Sequence, residues 1–244
     1  MNSCAIIIPI YRLPLEPFEK LNIKVSLSNL KGHSVFVIGP RDLDLSELID
    51  EFRILSIERF ENDFFKSVSS YSKLMLSKEL YLRFRSKFTH ILICQTDAVI
   101  LKPELNHWLS QPYDYIGAPW INGYELKIST NSIPIPEGIL CKAFIGNGGL
   151  SLRNIDSCLS LFNEFNDVHL NWIEAGHAED LFFGFLGPLS KNFILPHLMK
   201  AAQFSQEKDA DYLFKLIGNE PPFGVHGFDK YKNHYIHKYL TIDK

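Results

Sequence analysis

The tripeptide Gln95-Thr96-Asp97 ends an apolar run that begins at Phe88 and carries no charge before Asp97. Burying a lone carboxylate is costly, so Asp97 is expected at the carboxyl end of a strand, facing a crevice where a cation or donors offset the penalty. A carboxylate so placed can ligate a hard divalent ion that bridges diphosphate oxygens. A solvated Asp opening a turn is the plain alternative. Further along, Glu179-Asp180 precedes Leu-Phe-Phe. Two acids at the start of an apolar helix lie near its positive end and can supply a general base, or they can serve only as a helix-terminal charge pair. Gly146-Asn147-Gly148-Gly149 lets backbone amides approach a sugar or phosphate, or makes a tight turn before a strand. Its spacing matches neither the dinucleotide fingerprint nor the P-loop. His226, between Val225 and Gly227, could ligate a metal as a neutral imidazole or donate to phosphate, although most of nine histidines will be structural. Arg12, Lys73 and Arg153 could hold phosphate, or be ordinary surface cations.

These groups need a scaffold, and the pattern before Asp97 is that of an α/β sheet. Ala5 to Ile10 reads as a strand, with Pro9 marking where it leaves the sheet. Leu15, Phe18, Leu21 and Val25 recur near a helical period, Gly32 stops the helix, and Ser34 to Gly39 is a second buried strand. A short helix through Leu45 to Phe52 leads to a third strand near Arg53 to Ile57. Ser67 to Arg85 reads as one amphipathic helix delivering the chain to a strand through Phe88–Leu101. Strand and helix alternation of this kind predicts a mostly parallel sheet. Beyond it, a short helix from Pro103 to Leu109 and a strand within Tyr113 to Ala118 are expected. Trp120 to Cys141, rich in Asn, Ser, Pro and Gly, reads as a long loop over the site. Helices follow near Asp156 to Phe165 and Ala178 to Phe185.

At 244 residues the chain fits one large domain, and its formal net charge of −3, with both signs interspersed, offers no field for a nucleic-acid backbone. Cys4, Cys94, Cys141 and Cys158 form no CxxC pair, which fits reduced thiols in a cytoplasmic protein. The first residues lack a basic, long apolar leader.

The ordered set is more specific than its parts. An aspartate motif, a glycine loop, an acidic pair and a late histidine occur in the order found in GT-A type nucleotide-sugar glycosyltransferases, which the chain resembles. It is similar more closely to a bacterial glycosyltransferase-like family, DUF5672, through Gln95-Thr-Asp-Ala98, Tyr115-Ile-Gly-Ala-Pro-Trp120, Gly146-Asn-Gly-Gly-Leu-Ser-Leu-Arg153, Glu179-Asp-Leu-Phe-Phe183 and Phe223-Gly-Val-His-Gly227. The resemblance implies one GT-A-like, Rossmann-like α/β domain over 1–244. Residues 1–101 would form its nucleotide-binding half and 102–244 its acceptor and catalytic half. It implies a nucleotide-sugar donor, with UDP expected, and a glycan or lipid-linked glycan acceptor in bacterial surface polysaccharide (O-antigen or capsule) synthesis. Pro9, Tyr11, Arg12, Lys73, Gln95, Thr96 and Asp97 would hold the donor. Asp97 and His226 would hold Mn²⁺ or Mg²⁺, although Gln95 replaces the first acid of the usual DxD. Asp180, with Glu179 in reserve, would be the base of an inverting transfer, and Trp120, Asn147, Gly148 and Gly149 would line the sugar pocket. A retaining transferase, a sugar-1-phosphate nucleotidyltransferase lacking its usual basic Gly-rich opening, and a non-catalytic binding module are the rivals. Peripheral membrane association through Tyr231 to Tyr239 is a further expectation.

Overall fold

A computed structural model describes residues 3–52, 56–128, 139–228, 230 and 235–240. Its layering follows from the first strand, β1 (Cys4–Pro9), which is buried along its whole length. Successive side chains point to opposite faces, so Ala5 and Ile7 enter one apolar cluster while Ile6 and Ile8 enter the other. Helix α1 (Pro17–Asn29) follows, opened by a capping box in which Glu16 and Glu19 bond each other's backbone. Strand β2 (Ser34–Pro40), helix α2 (Ser46–Phe52) and strand β3 (Ser56–Phe60) complete the first alternations. The expected start of the third strand at Arg53 lies outside the described residues.

The single helix expected over Ser67–Arg85 is two helices, α3 (Val68–Met75) and α4 (Lys78–Arg85). Ser77 is the reason: its hydroxyl accepts from the Leu80 N–H and caps a new helix, as Ser67 caps the first by accepting from Ser70. The apolar run through Asp97 is likewise two strands. Strand β4 (His90–Cys94) ends before Gln95, the Ala98 N–H closes a turn on the Gln95 carbonyl at 2.9 Å, and β5 (Ala98–Ile100) then joins a different sheet. Asp97 therefore sits in the turn between two buried strands.

After α5 (Leu105–Leu109) and β6 (Tyr115–Ile116), the expected loop over 120–141 is in its described part an antiparallel hairpin of β7 (Pro119–Ile128) and β8 (Ile139–Ile145). A register irregularity between Pro119 and Tyr124, together with Gly123 at φ 71°, hides the alternation that would reveal a strand. Strand β9 (Leu150–Asn154) runs into α6 (Ile155–Glu164), α7 (Asn166–Ala175) and α8 (Glu179–Leu186). Helix α9 (Leu198–Phe204), strand β10 (Ser205–Gln206), helix α10 (Ala210–Leu216) and strand β11 (Gly224–His226) follow.

The main sheet has the order β3-β2-β1-β4-β9-β6; its first four strands are parallel, β9 runs against them, and β6 pairs antiparallel with β9 at the edge. A smaller sheet, β10-β11-β5, stands beside it. The architecture is the expected α/β domain with a mostly parallel sheet flanked by helices. Cys4, Cys94, Cys141 and Cys158 are free thiols. Among the described residues no helix is long and apolar enough to cross a membrane.

Candidate active site

The small sheet brings the late histidine to the aspartate turn. Strand β11 pairs antiparallel with β5 so that His226 lies opposite Ala98, and the Gly227 N–H donates to the Asp97 carbonyl at 2.9 Å. The carboxylate then meets two cations: Asp97 Oδ1 is 3.1 Å from His226 Nε2, and Oδ2 is 2.6 Å from Lys230 Nζ. Burial would raise the Asp97 carboxyl, but hydrogen bonds and charge from His226 and Lys230 outweigh it and hold the group well below the usual carboxylate range. The imidazole responds in the opposite sense. Burial would lower it, yet Asp97 and Glu207 push it up to about 9, so without a competing cation it carries charge at neutral pH.

The glycine loop is threaded between this pair and the acids of α8. The Gln95 N–H donates to the Gly149 carbonyl at 2.9 Å, and the Gly149 N–H donates to Asn147 Oδ1 at 3.1 Å. Asn147 adopts φ 63°, in the left-handed region, and its own N–H donates to Asp180 Oδ2 at 3.1 Å. A methyl at Gly149 would lie 2.2 Å from His226 Nε2, and one at Gly148 would lie 1.8 Å from Glu179 Oε1. Both positions must be glycine for the loop to pass between imidazole and carboxylate. The buried Asn147 Nδ2 has no hydrogen-bond partner among the described residues.

The two acids differ sharply in surroundings. Glu179 is buried, with Oε1 3.2 Å from Arg153 Nη2 and Oε2 accepting from the Ser72 hydroxyl at 3.1 Å. Arg153, which the sequence reading could treat as a surface cation, is 0% exposed. Its guanidinium also donates to Ser151 Oγ, Tyr81 Oη and the Met75 and Gly148 carbonyls, and it rests on the Tyr115 and Phe183 rings. Asp180 is half-buried and its carboxylate accepts only backbone N–H groups in the described structure, from Asn147 and Leu181. Burial first, then the charges of Glu179 and Glu207, push its carboxyl up to about 7.

Beside the aspartate turn lies a cavity of about 540 Å³. Pro9, Tyr11 and Arg12 from the exit of β1 line it, as do Gln95, Thr96 and Asp97. Lys73 does not; it is half-buried on α3, and Lys66 and Lys230 are the lysines on the wall. Arg12 is steered by Glu19, whose carboxylate also accepts from the Thr96 hydroxyl. Trp120 lies outside the cavity wall, its indole covering Gly146 so closely that a methyl there would lie 1.8 Å from the ring.

A family profile described as "Protein of unknown function (DUF5672)" matches residues 54–226. The chain belongs to the DUF5672 family. The matched stretch takes in the aspartate turn, the glycine loop, the acid pair and His226, while β1 and Lys230 lie outside it. No curated protein matches this DUF5672 chain. Among solved structures, mouse xyloside xylosyltransferase 1 in its apo form is similar over 95% of this chain and 99% of its own, with a TM-score of 0.55 at 12% identity. The apo WbbM bifunctional glycosyltransferase is similar over 93% of this chain and 46% of its own, with a TM-score of 0.50 at 12% identity. At such identities the likeness is one of fold, and this DUF5672 member has the α/β fold seen in those glycosyltransferases.

Sequence reasoning missed Lys230, Lys66, Glu19, Glu207 and the burial of Arg153. The last left a signal, because Leu150-Ser-Leu-Arg153 is a buried strand whose final charge requires an acidic partner. Glu207 left none.

Proposed function

We propose that the protein is a glycosyltransferase that moves a sugar from a nucleotide-sugar donor, UDP-linked in the simplest case, to a glycan or lipid-linked glycan hydroxyl. Its setting would be bacterial surface polysaccharide assembly, at the cytoplasmic face of the membrane. One observation carries the reading: Asp180, Asn147, Gly149, Gln95, His226 and Asp97, remote in sequence, form one connected set beside a cation-bearing cavity.

In this reading the cavity takes the nucleotide, with Tyr11 and Arg12 on its wall and Lys230 and Lys66 facing phosphate oxygens. Asp180 removes the acceptor hydroxyl's proton as that oxygen bonds to the anomeric carbon. The bond to the diphosphate breaks with its electron pair, giving inversion in one displacement. A carboxyl raised to about 7 suits a base working near neutrality, whereas both oxygens of Glu179 are already engaged. The Gly148 and Gly149 backbone and Asn147 Nδ2 border the sugar, and Trp120 supports the loop from behind.

The donor set fits a divalent cation. Asp97 Oδ1 lies 3.1 Å and Gln95 Oε1 3.3 Å from His226 Nε2, an oxygen-rich cluster that would leave coordination positions free for phosphate. No set of three His, Cys, Asp or Glu side chains among the described residues is arranged to hold a metal, so the third donor would be the Gln95 amide. A Mn²⁺ or Mg²⁺ bound there would neutralise charge on the departing diphosphate.

The test is incubation with UDP, GDP, CMP and dTDP sugars, with and without Mn²⁺, following donor hydrolysis and transfer. The anomeric configuration of the product is then read by NMR. A donor that binds and is neither hydrolysed nor transferred would overturn the proposal, and a product that keeps the donor's configuration would overturn the inverting step.

A further inference from the structure

Glu207 touches neither donor nor acceptor in the reaction as proposed, yet the register of the small sheet aims it at the centre of the site. Strand β10 pairs in parallel with β11, Ser205 opposite Gly224 and Gln206 opposite Val225. The next step along both chains sets Glu207 beside His226, and side-chain alternation sends both to the same side. The segment is fixed from behind. Gln206 is fully buried, donates to the Ala202 carbonyl at 3.2 Å and accepts from the Tyr235 hydroxyl, while Asp209 turns the chain with φ 54° and bridges back to Glu207. The result is a carboxylate oxygen 3.5 Å from His226 Nδ1, a buried nitrogen that makes no hydrogen bond among the described residues and has Glu207 within ion-pair reach, behind a ring whose other nitrogen faces Asp97 Oδ1 and Gln95 Oε1. Gly149 closes one face of that ring, since a methyl there would lie 2.2–2.6 Å from three of its atoms.

We propose that Glu207 is the positioning residue of this site: it holds the Nδ1 proton of His226, so that the Nε2 lone pair is presented with Asp97 and Gln95 to a divalent cation. A carboxylate that fixes the tautomer and orientation of a ligating imidazole commonly contributes about 10–100-fold in metal affinity. The inference rests on the proposed function only for what the cation would be used for, and cation binding tests it without any turnover.

The experiment titrates Mn²⁺ by the electron paramagnetic resonance signal of the free ion, in the wild-type chain and in Glu207→Gln and Glu207→Ala. Gln keeps an acceptor oxygen at the same reach and Ala removes it. The expected result is wild-type-like affinity for Gln, within a few fold, and a loss of about 10–100-fold for Ala at an unchanged circular dichroism spectrum. An Ala variant that binds Mn²⁺ like wild type, equal losses in both variants, or a wild-type chain that does not bind Mn²⁺ would overturn the inference. Should the Ala variant fail to fold, ¹⁵N spectra of His226 in the Mg²⁺-loaded wild type decide: a protonated Nδ1 with a deprotonated Nε2 is expected, and the reverse tautomer overturns it. A chain that binds Mn²⁺ in this manner but neither binds nor turns over any sugar nucleotide would sink the transferase reading and leave this one standing.

Discussion

Asp180→Asn should make the protein more stable and less active, with the stability gain appearing only as pH rises. The Asp180 carboxyl moves from an ordinary value of 3.8 to about 7 on folding, because burial and the charges of Glu179 and Glu207 oppose its ionisation. Between those two values the folded chain holds a proton that the unfolded chain has released, so stability falls as pH rises through the window. At 1.36 kcal/mol per pKa unit the ceiling on the loss is about 4 kcal/mol. Asp180 keeps part of its surface in solvent, which brings the expected value to about 2–3 kcal/mol. Asn retains an oxygen for the Asn147 N–H and does not titrate. For a chain of this length, melting temperatures of wild type and variant should agree near pH 4 and differ by about 5–10 °C in the variant's favour at pH 8. Transfer by the variant should fall about 10²–10⁴-fold, and wild-type kcat/KM should climb with pH through about 7. A variant less stable than wild type at pH 8, or one that transfers sugar at near-native rate, would refute the reasoning.

Arg153→Met should cost about 3–5 kcal/mol by urea denaturation, because among the described residues it leaves Glu179 buried with the Ser72 hydrogen bond and no countercharge. Adding Glu179→Gln to Arg153→Met should restore a large part of that loss; a single variant within about 1 kcal/mol of wild type would contradict the pairing. Gly149→Ala should lower stability by about 1–3 kcal/mol, since the new methyl must displace the His226 ring; an unchanged denaturation midpoint would show that the loop has slack. Lys230→Ala should leave the melting temperature within about 2 °C of wild type and weaken UDP binding tenfold or more, as expected for losing a charged hydrogen bond worth about 1.5–3 kcal/mol. Calorimetric titration reads that loss, and undiminished affinity would remove Lys230 from the phosphate site.

Much of the scaffold was legible because two-sided burial writes itself into composition. The β1, β2 and β4 segments carry the uncharged apolar runs Ala5-Ile-Ile-Ile8, Val35-Phe-Val-Ile38 and Ile91-Leu-Ile93, as strands buried or half-buried over most or all of their length do. Element boundaries were less legible where a short-range signal competed with periodicity, as when Ser77 divided a helix whose apolar stripe continues across it. The β7–β8 hairpin was missed because Gly123 and a register irregularity erased its alternation. In the site, residues carried by distinctive words, such as Asp97, Gly148, Asp180 and His226, could be listed from sequence. Glu207 and Lys230 could not, since an acid after a two-residue strand and a lysine past a glycine turn look like any surface charge until β10, β11 and β5 are paired.

The acid pair shows why the fold tolerates a buried guanidinium. Two adjacent carboxylates entering α8 together would repel each other, and nothing in the dipeptide decides which one stays available. Arg153 breaks the tie. It reaches Glu179 from β9, is itself held by Tyr81, Ser151 and two carbonyls, and takes up the Glu179 charge while bonding the Gly148 carbonyl one residue from Asn147. Among the described residues Asp180 then receives only backbone donors, too few to offset its burial, and its proton affinity rises toward neutrality. Two carboxylates given such different surroundings cease to be interchangeable, one becoming part of the frame and the other a group that exchanges its proton near pH 7. The same guanidinium ties the glycine loop to α8 through the Gly148 carbonyl and Glu179, so the placement of Asp180 relative to the Asp97–His226 pair depends on the buried network as well as on the loop's own preferences.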